Sequence, residues 1–258
     1  MKGLKKLNPQ AIDFFKSKGV DLSKEPLEIA VCAQHINGGA DVDINWQTSV
    51  ENLFAVGETA GTFGIYRPGG SALNSTQVGA LRVSEYIAQN DCCFAYEDTI
   101  KTALQEEKSY IENCLKSKND KTDFSTDMSL YSAENRDIDK ILSLKEKTDA
   151  QLMLKHYNLK DNNFKSVLEL YRYKDTLKTQ LMICCAFCEI LPKIGSRGGG
   201  ICTQNGKEIE ENEYYRNYAV VTDNYKSEFV PLREIPDLNY SFEAEWNRYN
   251  AERGISLD

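Results

Sequence analysis

Apolar residues follow two different spacings along the chain, and the change falls at about Asp98. Before it, short apolar runs such as LEIAVCA (27–33) and LFAV (53–56) alternate with polar, glycine-rich stretches, which is typical of buried strands and turns. An amphipathic helix is predicted over Ala72–Ala88. We therefore expect residues 27–88 to be α/β in character.

After Asp98 the apolar residues recur at helical spacing. The first helical stripe contains Ile100, Ala103, Leu104, Ile111, Cys114 and Leu115. A polar segment over 116–127 predicts a loop, and two further helices are predicted over 134–156 and 162–191, the second ending at Pro192. The region 98–191 is thus expected to be mainly helical.

Both ends of the chain carry shorter predicted elements. Near the start, residues 8–26 predict a short helix that ends at Gly19. Near the end, SRGGGICTQNGKE (196–208) predicts a loop, YAVVTD and EFVPLREIP predict short strands, and SFEAEWNRYN (241–250) predicts a final helix. The tail is therefore expected to be small and mixed.

Composition and charge narrow the classes of function. The chain has 258 residues, of which 41% are hydrophobic, so it can build a substantial core. It carries 39 acidic against 31 basic residues, a net charge of -8, which argues against nucleic-acid or acidic-membrane partners because these need a basic face. No apolar run is long enough to span a bilayer, and MKGLKKLNPQ lacks the apolar stretch of a secretory signal. We expect a cytoplasmic protein without a membrane span.

Cysteine and histidine usage limits the chemistry further. The chain has eight cysteines, and Cys184, Cys185 and Cys188 cluster within a predicted helix, which favours reduced thiols packed in a core. The spacing from Cys185 to Cys188 matches redox and metal motifs, but no second cysteine pair or nearby histidine completes four ligands. Because His35 and His156 are the only histidines, a histidine-rich zinc site is excluded and no metal site is predicted.

The common nucleotide-binding motifs are absent from the sequence. No G-x-G-x-x-G occurs. GICTQNGKE (200–208) resembles a P-loop, but five residues rather than four separate Gly200 from Gly206, and Glu208 stands where a Ser or Thr would bind Mg²⁺. We therefore do not interpret this stretch as a phosphate-binding loop.

Three glycine-containing motifs give the strongest functional signal. They are HINGGADVD (35–43), LFAVGETAG (53–61) and RPGGSALNSTQVGALRVSEYIA (67–88). The last one places Arg67 and two glycines before a helix, which is the usual way that a chain presents backbone N–H groups and the positive end of a helix dipole to an anionic ligand. His35 lies next to two glycines that let the backbone approach a ligand.

In this order and spacing the three motifs resemble the C-terminal end of the flavin-binding domain in the fumarate reductase/succinate dehydrogenase flavoprotein superfamily, which includes L-aspartate oxidase and adenylylsulfate reductase. The resemblance covers residues 8–90 and extends more weakly to SRGG (196–199). It implies an α/β plus α fold, with the C-terminal portion of a Rossmann-like FAD-binding domain, a helical bundle and a small mixed tail. The implied segments are the end of a capping segment (1–26), part of the FAD-binding domain (27–97), a helical domain (98–191) and a C-terminal extension with short strands (192–258).

The resemblance also implies roles for individual residues. Glu58 matches an acidic residue that contacts the sugar-like part of FAD, and Ser71 to Leu73 match a turn whose N–H groups face the pyrimidine edge of the isoalloxazine. His35 and Arg67 match the histidine and arginine that hold a substrate carboxylate in fumarate reductases. The implied cofactor-binding residues are Gly57, Glu58, Gly69, Gly70, Ser71, Ala72 and Leu73, and the implied catalytic residues are His35 and Arg67.

The sequence departs from the superfamily pattern in two ways. The respiratory enzymes have H-Y-T-M-G-G where this chain has HINGG, and N-R-L-G-S where it has YRPGG (66–70), so a dicarboxylate substrate is not implied. The superfamily's N-terminal G-x-G-x-x-G turn and capping domain have no counterpart in the sequence. We therefore expect a fragment or subunit of an FAD-dependent oxidoreductase with a small-molecule substrate, completed by a polypeptide that carries the N-terminal half of the FAD site or by self-association.

Two other interpretations stay open. The chain could be a truncated, non-catalytic remnant that binds no FAD alone, or a helical interaction module in which 98–191 docks a partner. An upstream gene that encodes G-x-G-x-x-G and a capping domain would favour the enzyme part, whereas an upstream stretch in another reading frame would favour the remnant. The sequence leaves open whether this chain by itself is an enzyme.

Overall fold

A computed structural model describes residues 6, 8–28, 38–63, 70–90, 97–198, 200–232 and 242–254. The chain divides into a first unit, Met1–Cys92, and a second unit, Cys93–Asp258. The helices are α1 (Pro9–Ser17), α2 (Ser71–Gln89), α3 (Glu97–Lys116), α4 (Ser125–Tyr131), α5 (Ile138–Met153), α6 (Phe164–Ile194) and α7 (Phe242–Glu252), with 3-10 turns at Gly57–Thr59 and Glu213–Asn217. The strands are β1 (Asn135–Asp137), β2 (Ile201–Gln204), β3 (Lys207–Glu208), β4 (Tyr218–Asp223) and β5 (Lys226–Pro231).

The α1 helix confirms the prediction made for residues 8–26. Asn8 caps it, because its side-chain Oδ1 accepts from the backbone N–H of Ala11 at 3.2 Å. Pro9 occupies the first helical position, where a backbone N–H has no partner within the helix. The helix ends at Ser17, close to the predicted stop.

A tight hairpin follows over residues 43–55. Gln47 pairs with Phe54 across it, and the Asp43 carboxylate accepts from the backbone N–H of Gln47 at 2.9 Å. Trp46 has a positive φ of 61°, which interrupts the extended backbone that a longer ladder requires. The hairpin therefore contributes one cross-strand pair rather than a sheet.

The elements predicted for the first unit have different outcomes. The strand predicted over 53–56 is wrong, since Phe54 makes an isolated bridge and a 3-10 turn begins at Gly57. The strand predicted over 27–33 lies mostly outside the described residues. The helix predicted over Ala72–Ala88 is confirmed as α2.

The core of the first unit is small within the part that the structure describes. Val42, Ala55 and Ala60 are buried together, and Ala40 and Trp46 pack against them. Since three of these five side chains are alanines, little apolar area is available to bury. The backbone geometry of the loops therefore matters more here than apolar packing.

The second unit is mainly helical, as the apolar spacing after Asp98 predicts. Its longest helices, α5 and α6, pack against each other. Each begins at a capping side chain: the Asp137 carboxylate accepts from the N–H of Lys140 at 3.1 Å, and the Asn163 amide oxygen accepts from the N–H of Ser166 at 3.0 Å. These caps satisfy backbone donors that have no partner within the helix.

Two boundaries in the second unit correct the sequence predictions. The α6 helix does not end at Pro192 but continues to Ile194, because a proline in the last turn removes only one hydrogen bond to a carbonyl four residues earlier. The predicted loop over 116–127 is wrong at its end, where α4 begins at Ser125. The burial of Phe124 just before α4 ties this segment to the core.

A cluster of buried side chains forms the core of the second unit. Its buried members are Cys114, Phe124, Ile138, Ile141, Leu144, Tyr157, Leu159, Leu170, Leu177, Cys184, Leu191, Ile194 and Cys202. They come from helices, loops and one strand that are far apart in sequence, and several are large aliphatic side chains. Burial of such side chains contributes about 1.5–3 kcal/mol each, so this unit has a substantial core of its own.

Small sheets complete the second unit. β1 pairs in parallel with β2, β2 pairs antiparallel with β3, and β4 pairs antiparallel with β5. Asn205 and Gly206 form the turn between β2 and β3 with φ of 51° and 71°, the conformation that suits a two-residue hairpin. The loop predicted over 196–208 is therefore wrong in its second half, and the stretch that superficially resembles a P-loop is a hairpin.

The remaining predictions for the tail are confirmed. β4 and β5 correspond to the two predicted strands, and α7 corresponds to the predicted final helix. Within the described ranges, no helix has both the length and the apolarity needed to cross a bilayer.

Candidate functional site

The structure describes the cofactor-side residues of the predicted site. They are Gly57, Glu58, Gly70, Ser71, Ala72 and Leu73, all in the first unit. His35, Arg67 and Gly69 lie outside the described residues. The roles of all these residues stay predictions, but the surroundings of the first group can be described.

The first two motifs pair through their backbones. The N–H of Ala40 donates to the Thr59 carbonyl at 2.8 Å, and the N–H of Gly61 donates to the Ala40 carbonyl at 2.9 Å, which makes a parallel bridge between Ala40 and Ala60. A Cβ added to Gly39 would lie 2.3 Å from the Thr59 carbonyl oxygen, closer than these atoms can approach. A glycine at position 39 is therefore what allows the HINGG segment to lie against the GETAG turn.

The third motif docks on the same turn through Thr76. Gly57 is buried with a φ of +69°, and a Cβ there would lie 3.2 Å from both Cγ2 and Oγ1 of Thr76. The hydroxyl oxygens of Thr62 and Ser75 lie 3.5 Å apart and form a second contact between the two segments. We call Gly39, the segment from Gly57 to Thr62, Ser75 and Thr76 the glycine junction, because all three motifs meet there.

The N-terminus of α2 has an uncompensated positive end. Gly70 precedes it in a left-handed conformation, with φ of 85° and ψ of −24°, and provides no capping side chain. No acidic residue occupies the first helical turn, so no carboxylate in that turn neutralises the helix dipole. Leu73, in the same turn, is 72% exposed. This end of α2 can therefore stabilise negative charge on a group bound next to it.

Glu58 lies in the middle of the exposed face of the 3-10 turn. Its backbone is fixed by its neighbours, because Gly57 contacts Thr76 and the Thr59 carbonyl accepts from Ala40. The carboxylate itself belongs to an exposed residue. The glycine junction thus holds the backbone of Glu58 at a defined position relative to the body of α2.

Sequence reasoning missed two residues that build this site. The α2 helix packs on Trp46, since a Cβ at Gly79 would lie 2.8 Å from Trp46 Nε1, and the Arg82 guanidinium lies 5.5 Å from the Trp46 ring centroid. A glycine inside an otherwise regular helix indicates close packing, so Gly79 could have revealed this contact. Nothing in the sequence distinguishes Thr76, the second missed residue.

The cysteine cluster of α6 has the properties of a core. Cys184 and Cys185 are buried, Cys188 is half-buried, and all three are free thiols. Burial raises the pKa of Cys184 to about 12 and also raises the pKa of Cys185 and of Cys188. A reactive thiol needs the opposite shift, so the prediction of packed, reduced cysteines is confirmed for these three. No group of three or more His, Cys, Asp or Glu is arranged to hold a metal ion in the part of the chain that was searched, the described residues.

Comparison with known proteins gives partial matches. No family model matches the chain. It is 35% identical over 103 residues to the large CoM/CoB-type fumarate reductase protein of Methanothermobacter marburgensis, covering 40% of this chain and 19% of that protein. It is 37% identical over 92 residues to an FAD-dependent oxidoreductase of Methanocaldococcus jannaschii, covering 34% of this chain and 17% of that protein. The matched regions are therefore less than one fifth of either relative.

A solved structure shows the same fold over most of the chain. A variant of the E. coli quinol fumarate reductase protein FrdA superposes with a TM-score of 0.70, covering 92% of this chain and 43% of that protein at 17% identity. The motifs, the sequence matches and this common fold agree with one another. The chain belongs to the fumarate reductase/succinate dehydrogenase flavoprotein superfamily, and its partial coverage of these relatives fits a C-terminal part.

Proposed function

We propose that this chain forms part of an FAD-dependent oxidoreductase and supplies the isoalloxazine side of the cofactor site. The observation that carries the proposal is the glycine junction, where the three motifs meet and where the Glu58 turn packs on α2. The M. jannaschii relative, an FAD-dependent oxidoreductase, supports the choice of cofactor.

The described residues fit a flavin ring. When bound, FAD supplies hydride-transfer chemistry. The uncompensated N-terminus of α2 stabilises the negative charge that a flavin gains on reduction, and the N–H groups of Ser71 to Leu73 orient the pyrimidine edge of the ring. The Glu58 carboxylate accepts hydrogen bonds from hydroxyls of the sugar-like part of the cofactor.

His35 and Arg67 are proposed to bind the substrate, a small molecule that carries a carboxylate. An arginine forms two parallel hydrogen bonds with a carboxylate, which both binds and orients it. The two residues flank the cofactor-side segments in sequence: His35 precedes Gly39, and Arg67 precedes Gly70. They therefore lie close in sequence to the segments that we assign to the flavin.

The pyrophosphate of FAD is proposed to bind to a segment outside residues 1–258. The sequence has no G-x-G-x-x-G turn to receive it, and the E. coli FrdA structure extends well beyond the part that this chain matches. A polypeptide that carries the N-terminal half of the site, or a second copy of this chain, would complete the enzyme.

A chimera tests the proposed function. The segment of the M. marburgensis protein that matches this chain over 103 residues is replaced by the corresponding segment of this chain. We expect the chimera to retain bound flavin, measured by its absorbance and by reduction with dithionite. A folded chimera that contains no flavin would contradict the proposal.

Two arginine variants of the chimera separate substrate binding from folding. Arg67→Ala is expected to decrease turnover at least about a hundredfold, the loss of one charge-assisted contact of roughly 3 kcal/mol, while bound flavin and melting temperature stay unchanged. Arg82→Ala is the matched control, because it removes the same charge from the contact with Trp46. It is expected to lower stability and leave turnover unchanged. Loss of flavin in Arg67→Ala would assign that residue a structural role instead.

The 258-residue chain alone is expected to bind FAD weakly or not at all. Its loop and Glu58 account for only one side of the ligand, and nothing in its sequence is suited to the pyrophosphate. Titration with FAD, followed by fluorescence quenching, measures this. Purification of a stoichiometrically yellow protein, or micromolar affinity with reducible flavin, would show that the chain suffices and that no complementary half is needed.

A further inference from the structure

Thr76 links the two parts of the proposed cofactor site. It is half-buried on α2, and its Oγ1 donates to the Ala72 carbonyl at 2.8 Å. This bond, together with the branching at Cβ, restricts the side chain to one rotamer. Ala72 lies in the first turn of α2, so the rotamer of Thr76 is tied to the turn that we assign to the flavin ring.

The other side of Thr76 contacts bare backbone. Both branches of its side chain lie 3.2 Å from the position that a Cβ on Gly57 would occupy. Gly57 cannot move away from this contact through a rotamer change, because it has no side chain and is buried. A side chain with a fixed rotamer that packs against backbone acts as a spacer of fixed length.

We propose that Thr76 is a positioning residue, which sets the distance between the Glu58 turn and the first turn of α2. This inference rests on the proposed function, since these are the two cofactor contacts that it assigns. Thr76 touches no cofactor atom in this proposal. It acts by holding the positive end of α2 at the correct height above the turn that carries Glu58.

The same helix offers a matched control. Ser84 also donates its hydroxyl to a carbonyl four residues earlier, that of Ala80, at 2.8 Å, but it is exposed and lies two turns beyond the glycine junction. A substitution at Ser84 therefore removes the same kind of hydrogen bond from α2 without touching the junction.

Hydrogen exchange of the full chain, measured by mass spectrometry, tests the spacer. The informative amides are those of Ala60 and Gly61, which donate to Gly57 and Ala40 and report whether the turn is held. In Thr76→Ala we expect these amides to exchange about tenfold faster, the effect of losing roughly one well-made contact. In Ser84→Ala we expect their exchange to stay within about twofold of the parent.

Two conservative variants keep the test decisive if Thr76→Ala fails to fold. Thr76→Val retains both branches and is expected to preserve the protection of Ala60 and Gly61. Thr76→Ser loses the methyl group and is expected to lose part of that protection. The spacer role is overturned if Thr76→Ala leaves both amides unchanged, if Ser84→Ala accelerates them equally, or if the Val and Ser variants behave alike.

The flavin-loaded chimera provides a readout that a purely structural role would not change. There, Thr76→Ala is expected to shift the flavin midpoint potential to more negative values, because the positive end of α2 no longer lies at its proper distance from the ring. Thr76→Val is expected to restore the parent potential. If the chimera binds no flavin, the proposed function fails while the exchange experiment still decides whether Thr76 holds the junction. An unchanged potential in Thr76→Ala, with flavin bound, would overturn the positioning role.

Discussion

The two units of this chain are held together by different kinds of contact. In the second unit, large side chains such as Leu170, Leu177 and Leu191 are buried in one cluster. In the described part of the first unit, the buried cluster consists of Val42 and two alanines, and the motifs meet instead through close approaches of backbone. The unit that carries the candidate site thus has the smaller core.

This difference shows how the candidate site depends on individual atoms. A core of many large side chains tolerates small changes in volume, because the cost is spread over many contacts. A junction in which the Thr59 carbonyl oxygen would lie 2.3 Å from an added Cβ at Gly39 has no such tolerance. We therefore expect the second unit to respond to the loss of large side chains and the first unit to respond to the gain of single methyl groups.

The largest expected effect is a cavity in the second unit. Leu170 is 0% exposed, so Leu170→Ala is expected to lower the free energy of unfolding by about 2–5 kcal/mol. Urea unfolding followed by far-ultraviolet circular dichroism measures it. Leu104→Ala, at a position 66% exposed, is the control and is expected to change stability by less than about 0.5 kcal/mol. Equal effects of the two variants would contradict the assignment of the core.

The next largest effect is expected from one methyl group at the glycine junction. Gly39→Ala forces the backbone around Thr59 to move and is expected to cost about 1–3 kcal/mol, the usual penalty of overpacking. Gly38→Ala is the control, since a Cβ at Gly38 meets nothing within 4 Å.

The fluorescence of Trp46 reports on the first unit if Trp246 is replaced by Phe, because the chain has only these two tryptophans. We expect the unfolding transition seen by Trp46 to shift in Gly39→Ala and to stay in place in Gly38→Ala. A shift of equal size in both variants would show that the close approach at Gly39 does not hold the junction.

A smaller effect is expected at alkaline pH in the second unit. Burial raises the pKa of Cys184 from 9.0 to about 12, and that of Tyr157 from 10.0 to about 12. Since the folded state favours the protonated groups, this stabilisation is complete below pH 9 and is lost as the pH rises from 9 towards 12. Cys184→Ala is expected to have a shallower loss of stability over this range, measured by urea unfolding at each pH. An unchanged slope would show that the thiol is not the titrating group.

The helices were the elements best predicted from sequence. The capping residue Asn8, the apolar stripe from Ile100 onward and the Asn163 cap are all local signals, and the corresponding helices are present. The strand predicted over 53–56 failed because an apolar run indicates burial without specifying a pairing partner. The turn at Asn205 was missed for a different reason, since its flanking strands are only four and two residues long.

The sequence by itself determined the order of the three motifs, the helix that follows the last one and, through these, the superfamily. Helical hydrogen bonds join residues four apart, so their pattern is written in neighbouring positions. Only the tertiary structure decided that Gly39 lies against Thr59 and that Gly57 lies against Thr76, pairs separated by 20 and 19 positions in the sequence. Contacts of this kind depend on the path of the backbone between the partners, and a glycine records only the space it leaves, not which atom fills it.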